Sequence, residues 1–268
     1  MSDVAGKLVL VTGGSRGIGA EISRTLGKKG ATVVVASRGL AACEAVAEEI
    51  RGAGGKAYAL ELDVSSGESV RTGLAAAAAM LDLRAFDGLV NNAGIAESAP
   101  LVDPERDLYR RHLEVNFHGP RRLVEALLPG MRERGFGRIV NVASSAGLRG
   151  YAYVAAYCAS KFALVGYTLS AAAELAKTGV TVNAVCPHYV ESPMLEASIT
   201  NLVEKTDMDA EAARRFFEKE NPGGRLVQPD TVARHVLRLL EGEENGLLVE
   251  LDGSTHPKKH RPNGKAKA

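Results

Sequence analysis

Tryptophan is missing from the 268 residues, aromatic residues make up only 5%, and cysteine occurs three times. Cys43, Cys158 and Cys186 form no CxxC pair and have no histidine at metal-ligand spacing. That excludes a disulfide framework and a zinc site as readings of the sequence, and it points to a reducing compartment. The longest strongly apolar stretch, Leu74 to Leu81, is far too short to span a bilayer. The start, Met1 to Lys7, lacks a basic region followed by an apolar stretch and a small-residue cleavage site. We therefore expect a soluble, cytoplasmic protein with no membrane partner. No GK[ST] follows a glycine-rich turn, so nothing supports a nucleotide triphosphatase.

A charge of one sign is also missing. Thirty-three Lys and Arg stand against thirty-two Asp and Glu, a formal net charge of +1. The last thirteen residues, His256 to Ala268, hold Lys258, Lys259, Arg261, Lys265 and Lys267 and no acid, so the rest of the chain is mildly acidic. With two prolines, a glycine and no apolar periodicity, residues 256–268 read as a basic, disordered tail. A nucleic-acid role resting on that tail is the weaker reading.

What is present is a hydrophobic fraction of 46%, enough for one large core. Apolar runs rich in β-branched residues recur at Leu8 to Val11, Thr32 to Ala36, Ala57 to Leu62, Gly88 to Val90, Arg138 to Val142, Val180 to Val185 and Leu247 to Leu251. Continuous rather than alternating, they read as strands buried on both faces. Segments of helical character separate them: Ile18 to Lys29, Ala41 to Arg51, Ser69 to Leu81, Arg106 to Arg134, Tyr157 to Lys177 and Asp230 to Leu240. The alternation predicts an α/β fold: a single Rossmann-type, doubly wound domain, residues 1–255, with a parallel sheet of about seven strands and helices on both faces. Ligands of such sheets bind at the carboxyl ends of the strands, where strand order reverses. Residues 192–224 carry charged helical pieces and no strand, which suits a lid over that edge.

The chemistry-bearing residues fall at those strand ends. After the first strand, Thr12-Gly13-Gly14-Ser15-Arg16-Gly17-Ile18-Gly19 leads into a helix. Glycines at 13, 17 and 19 allow a tight turn, backbone approach to a phosphate and close helix packing, though the spacing is GxxxGxG rather than GxGxxG. The second strand ends in Ala36-Ser37-Arg38. A ribose 2'-hydroxyl is commonly met there by an acid, whereas neutral Ser37 with Arg38 and Arg16 suits a 2'-phosphate, hence NADP(H) over NAD(H). Tyr157 and Lys161, four apart on a helix, share a face. An ammonium beside a phenol favours the phenolate, so the expectation is a tyrosine whose pKa falls from about 10 toward working pH. Ser144 ends the fifth strand thirteen residues earlier.

Together these residues resemble the short-chain dehydrogenase/reductase family, from Lys7 to about Ser254. The matching pieces are the Thr12 to Gly19 loop, Asp63 and Val64 in Leu62-Asp63-Val64, Asn91-Asn92-Ala93-Gly94, Asn116, Ser144, Tyr157-Cys158-Ala159-Ser160-Lys161, and Pro187 after Asn183-Ala184-Val185-Cys186. The resemblance implies hydride transfer between NADP(H) and a carbonyl or secondary alcohol. It gives Ser144 the polarisation of the substrate oxygen, Tyr157 the proton, and Lys161 the nicotinamide ribose and the tuning of the tyrosine. Asn116 would hold a water linking Lys161 to solvent. Asp63 and Val64 would contact adenine, Asn91, Ala93 and Gly94 would flank the cofactor, and Pro187, Val190 and Ser192 would meet its nicotinamide or phosphate end. Relatives commonly form homotetramers. Within the family, Asn183 to Met194 and Gly224 to Pro229 are most similar to 3-oxoacyl thioester reductases and polyketide ketoreductases. A dehydrogenase of a cyclic or small secondary alcohol, and a non-catalytic NADP-binding sensor or scaffold, are the alternatives.

The chain departs from the family pattern at Pro187-His188, where glycine usually follows proline. His188 either points to solvent or packs at the pocket rim, or it touches the substrate. His112, His118 and His235 read as partly exposed or capped helix residues. Tyr151, Tyr153 and Tyr189 either line the pocket or pack a loop. Cys158 points about 100° away from Tyr157, which argues against a nucleophilic cysteine.

Overall fold

The computed structural model describes residues 3–82, 85–102 and 107–261. Eight strands, β1 (Leu8–Thr12), β2 (Thr32–Ser37), β3 (Lys56–Glu61), β4 (Gly88–Asn91), β5 (Gly137–Val142), β6 (Val180–Pro187), β7 (Leu248–Leu251) and β8 (Lys258–His260), form one sheet in the order β3-β2-β1-β4-β5-β6-β7-β8. Neighbours from β3 to β7 are parallel. The helices are α1 (Gly17–Lys28), α2 (Leu40–Gly52), α3 (Gly67–Met80), α4 (Asp107–Leu113), α5 (Gly119–Glu133), α6 (Ala155–Glu174), α7 (Pro193–Lys205), α8 (Ala210–Glu220) and α9 (Pro229–Glu241).

Successive side chains of a strand point to opposite faces, and the core divides accordingly. Val9 and Val11 join Ile22 and Leu26 of α1, Val46 and Ile50 of α2, and Val236 and Leu239 of α9 on one face. Leu8 and Leu10 join Val70 of α3, Leu123 and Met131 of α5 and Ala172 of α6 on the other. Each such aliphatic side chain contributes about 1.5 to 3 kcal/mol on burial, which explains why the strands read as unbroken apolar runs. The order reverses between β1 and β4, so the ends of those strands, Thr12 and Asn91, flank the crevice expected of a doubly wound sheet.

Two expectations need correction. The C-terminal segment is not a free tail from 256 onward: Lys258–His260 pairs antiparallel with β7. Its side chains are exposed and polar, so the strand carries no apolar signature; it forms because Lys258 meets Asp252 and His260 meets Glu250 at 2.8 Å each. Residues 262–268 lie outside the described residues. The single helix expected over 106–134 is divided: α4 and α5 are joined by a π-helical turn, Glu114–His118, that carries Asn116. Arg106 lies outside the described residues. Such turns recur at functional sites because the extra residue re-aims a side chain.

Candidate active site

The phosphate-type loop is shaped by backbone crowding. Gly13 and Gly17 have φ of 62° and 53°, and a Cβ on Gly19 would lie 2.1 Å from the carbonyl oxygen of Gly13. α1 starts at Gly17 with no side-chain cap and no acid in its first turn, so its partial positive end faces the crevice uncompensated. Ser15 and Ile18 sit in the same loop, with Ile18 packed on the core. Asn92, unweighted on its own in the sequence, stitches the loop to β4: its Nδ2 donates to Thr12 and Gly13 at 3.0 and 3.1 Å. Ala93 N donates to Thr12 Oγ1. Across the crevice Pro193 Cδ lies 3.1 Å from where a Gly17 Cβ would be, bringing the first turn of α7 against the loop. Ser192 caps that turn, accepting from Leu195 N and donating to Val190 O.

At the end of β2, Ser37 Oγ accepts from Gly39 N, while Arg38 and Arg16 are exposed and make no ion pair among the described residues. Asp63 closes an Asx turn, its Oδ1 accepting from the backbone and hydroxyl of Ser65, and Val64 is buried against Gly119. Asn91 donates to Asn141, which donates to Thr168 of α6, a buried chain between sheet and helix. A Cβ on Gly94 would lie 3.2 Å from Asn116 Oδ1 and 3.7 Å from Lys161 Nζ, so glycine there keeps a cradle open beside both.

Asn116 holds the peptide of Ile95 with both ends of its amide, each at 2.9 Å, and donates to Ser160 Oγ at 2.9 Å. It thereby ties the loop after β4 to the helix of Tyr157 and Lys161. Ser144 precedes a 3-10 turn, Ser145–Gly147; its Oγ accepts from Ala146 N at 3.1 Å, makes a long, 3.4 Å contact to Pro187 O and lies within hydrogen-bond reach of the Tyr157 phenol. The long contact to Pro187 O holds that proton weakly. Lys161 Nζ donates to Val142 O at 2.9 Å and lies 5.7 Å from the centre of the Tyr157 ring.

The electrostatics correct one expectation. Burial pushes the Tyr157 phenol up to about 12, with the Ser144 hydroxyl acting in the opposite direction. Burial also pushes Lys161 down to about 8. Desolvation of both groups thus outweighs the stabilisation of a phenolate by the ammonium. Burial likewise pushes the Cys186 thiol up to about 12 despite nearby Lys161, which argues against Cys186 as a nucleophile.

His118 and His235 lie partly exposed on helical segments, as expected, but two histidines are placed differently. His112 is fully buried, accepts from Glu97 N at 3.1 Å and stands edge-on to Tyr157. His188 neither reaches solvent nor opens into the pocket; its side chain is 1% exposed and its Nε2 lies 2.9 Å from Glu250. A carboxylate at 250 inside an apolar strand is the available signal. Tyr189 packs on Phe217 of α8 and Tyr151 donates to Ser145 Oγ, while Tyr153 points outward.

The glycine loop, Ser37, Asp63, Asn91, Ser144 and Pro187 therefore stand at or after the carboxyl ends of parallel strands, with Asn116 tied to the helix of Tyr157 and Lys161. A family profile described as short chain dehydrogenase matches residues 7–202. The chain belongs to the short chain dehydrogenase family. Among its relatives, acetoacetyl-CoA reductase of Shinella zoogloeoides is 36% identical over 249 residues, covering 93% of this chain and 95% of the relative. The 3-oxoacyl-[acyl-carrier-protein] reductase of Pseudomonas aeruginosa is 36% identical over 235 residues, 86% and 88% of the two chains. The crystal structure of a single-substitution variant of actinorhodin polyketide ketoreductase with NADPH superposes with a TM-score of 0.87 at 36% identity, covering 94% of this short chain dehydrogenase and 98% of that chain. The family makes this chain an oxidoreductase of the carbonyl and alcohol type. No helix among the described residues is long and apolar enough to cross a membrane.

Proposed function

We propose that the protein is an NADPH-dependent reductase of a 3-oxoacyl thioester or a related ketone, acting as a cytoplasmic homotetramer. The observation that carries this reading is the convergence of Ser144, Tyr157 and Lys161 beside a glycine-lined crevice whose open cradle at Gly94 fits a nicotinamide ribose. The names of the acetoacetyl-CoA and 3-oxoacyl relatives support the substrate class.

A nicotinamide cofactor, when bound, supplies the hydride. Gly13, Ser15, Gly17, Ile18 and Gly19 with the start of α1 hold its pyrophosphate, Arg16, Ser37 and Arg38 its 2'-phosphate, and Asp63 and Val64 its adenine. Asn91, Ala93, Gly94, Pro187, Val190 and Ser192 flank the nicotinamide end. The Ser144 hydroxyl turns from its long contact with Pro187 to the substrate oxygen. The Tyr157 phenol, kept protonated by burial, donates to that oxygen as it gains charge. Lys161, the group of the pair that titrates nearest neutral pH, orients the site and exchanges protons with a water held at Asn116. The helices α7 and α8 of segment 192–224 form the lid, with Asn201 reaching Ser98 at 2.7 Å across the mouth.

The test is a panel of acetoacetyl thioesters, cyclic ketones and quinones followed by loss of reduced-cofactor absorbance. Turnover of the thioesters is expected. NADPH binding without turnover of any carbonyl would replace this reading with the non-catalytic one.

A further inference from the structure

Glu250 is a buried carboxylate that the reaction does not use, and it gathers partners from three other segments of the fold. Its Oε1 accepts from Arg149 Nη2 at 2.5 Å and His188 Nε2 at 2.9 Å, and its Oε2 from His260 Nε2 at 2.8 Å. Glu250 itself is 3% exposed, whereas the Arg149 and His260 side chains are about half open. Neighbouring Asp252 is taken by Lys258 and Ser254. Burial holds His188 below its ordinary pKa, so it meets Glu250 as a neutral ring that donates from Nε2; its buried Nδ1 has no partner among the described residues. Burial alone would raise the Glu250 carboxyl, but its three donating partners outweigh that and hold it ionised, below its usual range.

The partners are placed on the supports of Ser144. Besides its interaction with the Tyr157 phenol, the Ser144 hydroxyl is held by the protein backbone at Ala146 N and Pro187 O. Ala146 belongs to the turn whose exit is Arg149, with Arg149 N bonded to Ser145 O at 3.0 Å. Pro187 immediately precedes His188, whose N is bonded to Leu251 O. Glu250 therefore grips both segments that set the position of Ser144, one through a guanidinium and one through an imidazole. Its side chain shares a sheet face with Leu248, which packs with Leu164 of α6. The third partner comes from β8, the strand the sequence pattern does not show.

We propose that Glu250 is a positioning residue of the active site, acting on Ser144 through Arg149 and His188, and that the C-terminal strand completes this support through His260. The proposal rests on Ser144 and Tyr157 being catalytic, and its test separates the two claims. Steady-state reduction is measured for Glu250→Gln, His260→Ala and Arg149→Met, each alone and combined with Ser144→Ala, together with NADPH affinity by fluorescence. Displacement of a reacting group by a fraction of an ångström lowers rate strongly, so Glu250→Gln should reduce kcat at least about fivefold and His260→Ala about threefold. NADPH affinity should change less than kcat, because the Gly13 to Gly19 loop and Arg38 share none of these contacts and only Pro187 at the nicotinamide end adjoins them. In the Ser144→Ala background the Glu250→Gln and His260→Ala penalties should disappear, since the group they position is gone. A purely structural role would instead lower stability and leave the kcat penalty unchanged in that background, which overturns the proposal, as does a Glu250→Gln enzyme with wild-type kcat. Should Glu250→Gln fail to fold, Arg149→Met and His260→Ala carry the same comparison. Tyr157→Phe and Ser144→Ala with full activity would instead overturn the catalytic reading.

Discussion

Lys161 donates its ammonium to the carbonyl oxygen of Val142 at 2.9 Å, one backbone acceptor for a group with three N–H bonds in a site where it is 4% exposed. Burial therefore wins, and the folded-state pKa is about 8 against an ordinary 10.5. Between those values the unfolded chain binds a proton that the folded chain does not, so stability rises as pH climbs from 8 toward 10.5. Below that window the full penalty is present, at most about 3 kcal/mol at roughly 1.36 kcal/mol per pKa unit. Lys161→Met should therefore melt higher than wild type near neutral pH while losing turnover and cofactor affinity, and the difference should shrink as the pH approaches the ordinary lysine value. Thermal melts of both proteins across that range check this; parallel curves would refute it.

Tyr157→Phe removes one hydroxyl and leaves the α6 packing intact. Loss of a positioned acid should lower turnover by roughly 10²- to 10⁴-fold, with little change in NADPH affinity. Because burial holds the phenol at about 12, reduction by wild type should show no decline from Tyr157 deprotonation across neutral and mildly alkaline pH. Tyrosinate absorbance should show no Tyr157 contribution there, by difference from Tyr157→Phe. A tyrosinate that forms near neutral pH only in wild type would mean that Lys161 governs the phenol after all.

The parts of this molecule legible in the sequence are those with a periodic or a local cause. Strands buried on both faces print as apolar runs, and a glycine that would collide with Gly13 prints as a glycine. Long-range causes do not print. β8 consists of Lys258, Lys259 and His260, and only the acids at 250 and 252, brought alongside by the fold, make it a strand. The π turn at Asn116 has no composition of its own. His188 reads as a rim residue until its carboxylate partner, 62 positions later, is placed beside it. The Tyr157 and Lys161 spacing is readable, but the balance between charge attraction and desolvation depends on burial, which one turn of helix does not reveal.

Assembly through α6 is expected because its outer face is small and open. Ala159, Gly166, Ser170 and Ala173 are exposed, with Phe162 45% exposed among them. A Cβ on Gly166 would meet nothing within 4 Å. Gly166→Leu should thus fold normally as a single chain yet obstruct close helix approach between copies. Light scattering at micromolar concentration should give a tetramer for wild type and a smaller species for the variant. A monomeric wild type would end the proposal.

Cofactor choice should rest on Arg16 and Arg38. Both are exposed at the mouth of the crevice, neither is engaged in an ion pair among the described residues, and Ser37 between the strand and Arg38 brings no carboxylate to repel a phosphate. Each charge-assisted contact to a 2'-phosphate is worth about 1.5 to 3 kcal/mol, or roughly 10- to 150-fold in dissociation constant. NADH lacks that phosphate, so Arg38→Ala should weaken NADPH by that factor and leave NADH nearly unchanged. Ser37→Asp should go further, placing a like charge against the phosphate while offering an acceptor to a ribose hydroxyl, and so reverse the preference. Raising ionic strength should narrow the NADPH advantage in wild type, because the pairs are solvent-exposed and screened. Fluorescence titration of both cofactors against the three proteins at two salt concentrations measures all of this. Equal wild-type affinities for NADPH and NADH would remove the arginines from the cofactor site and leave them as solvated surface charges.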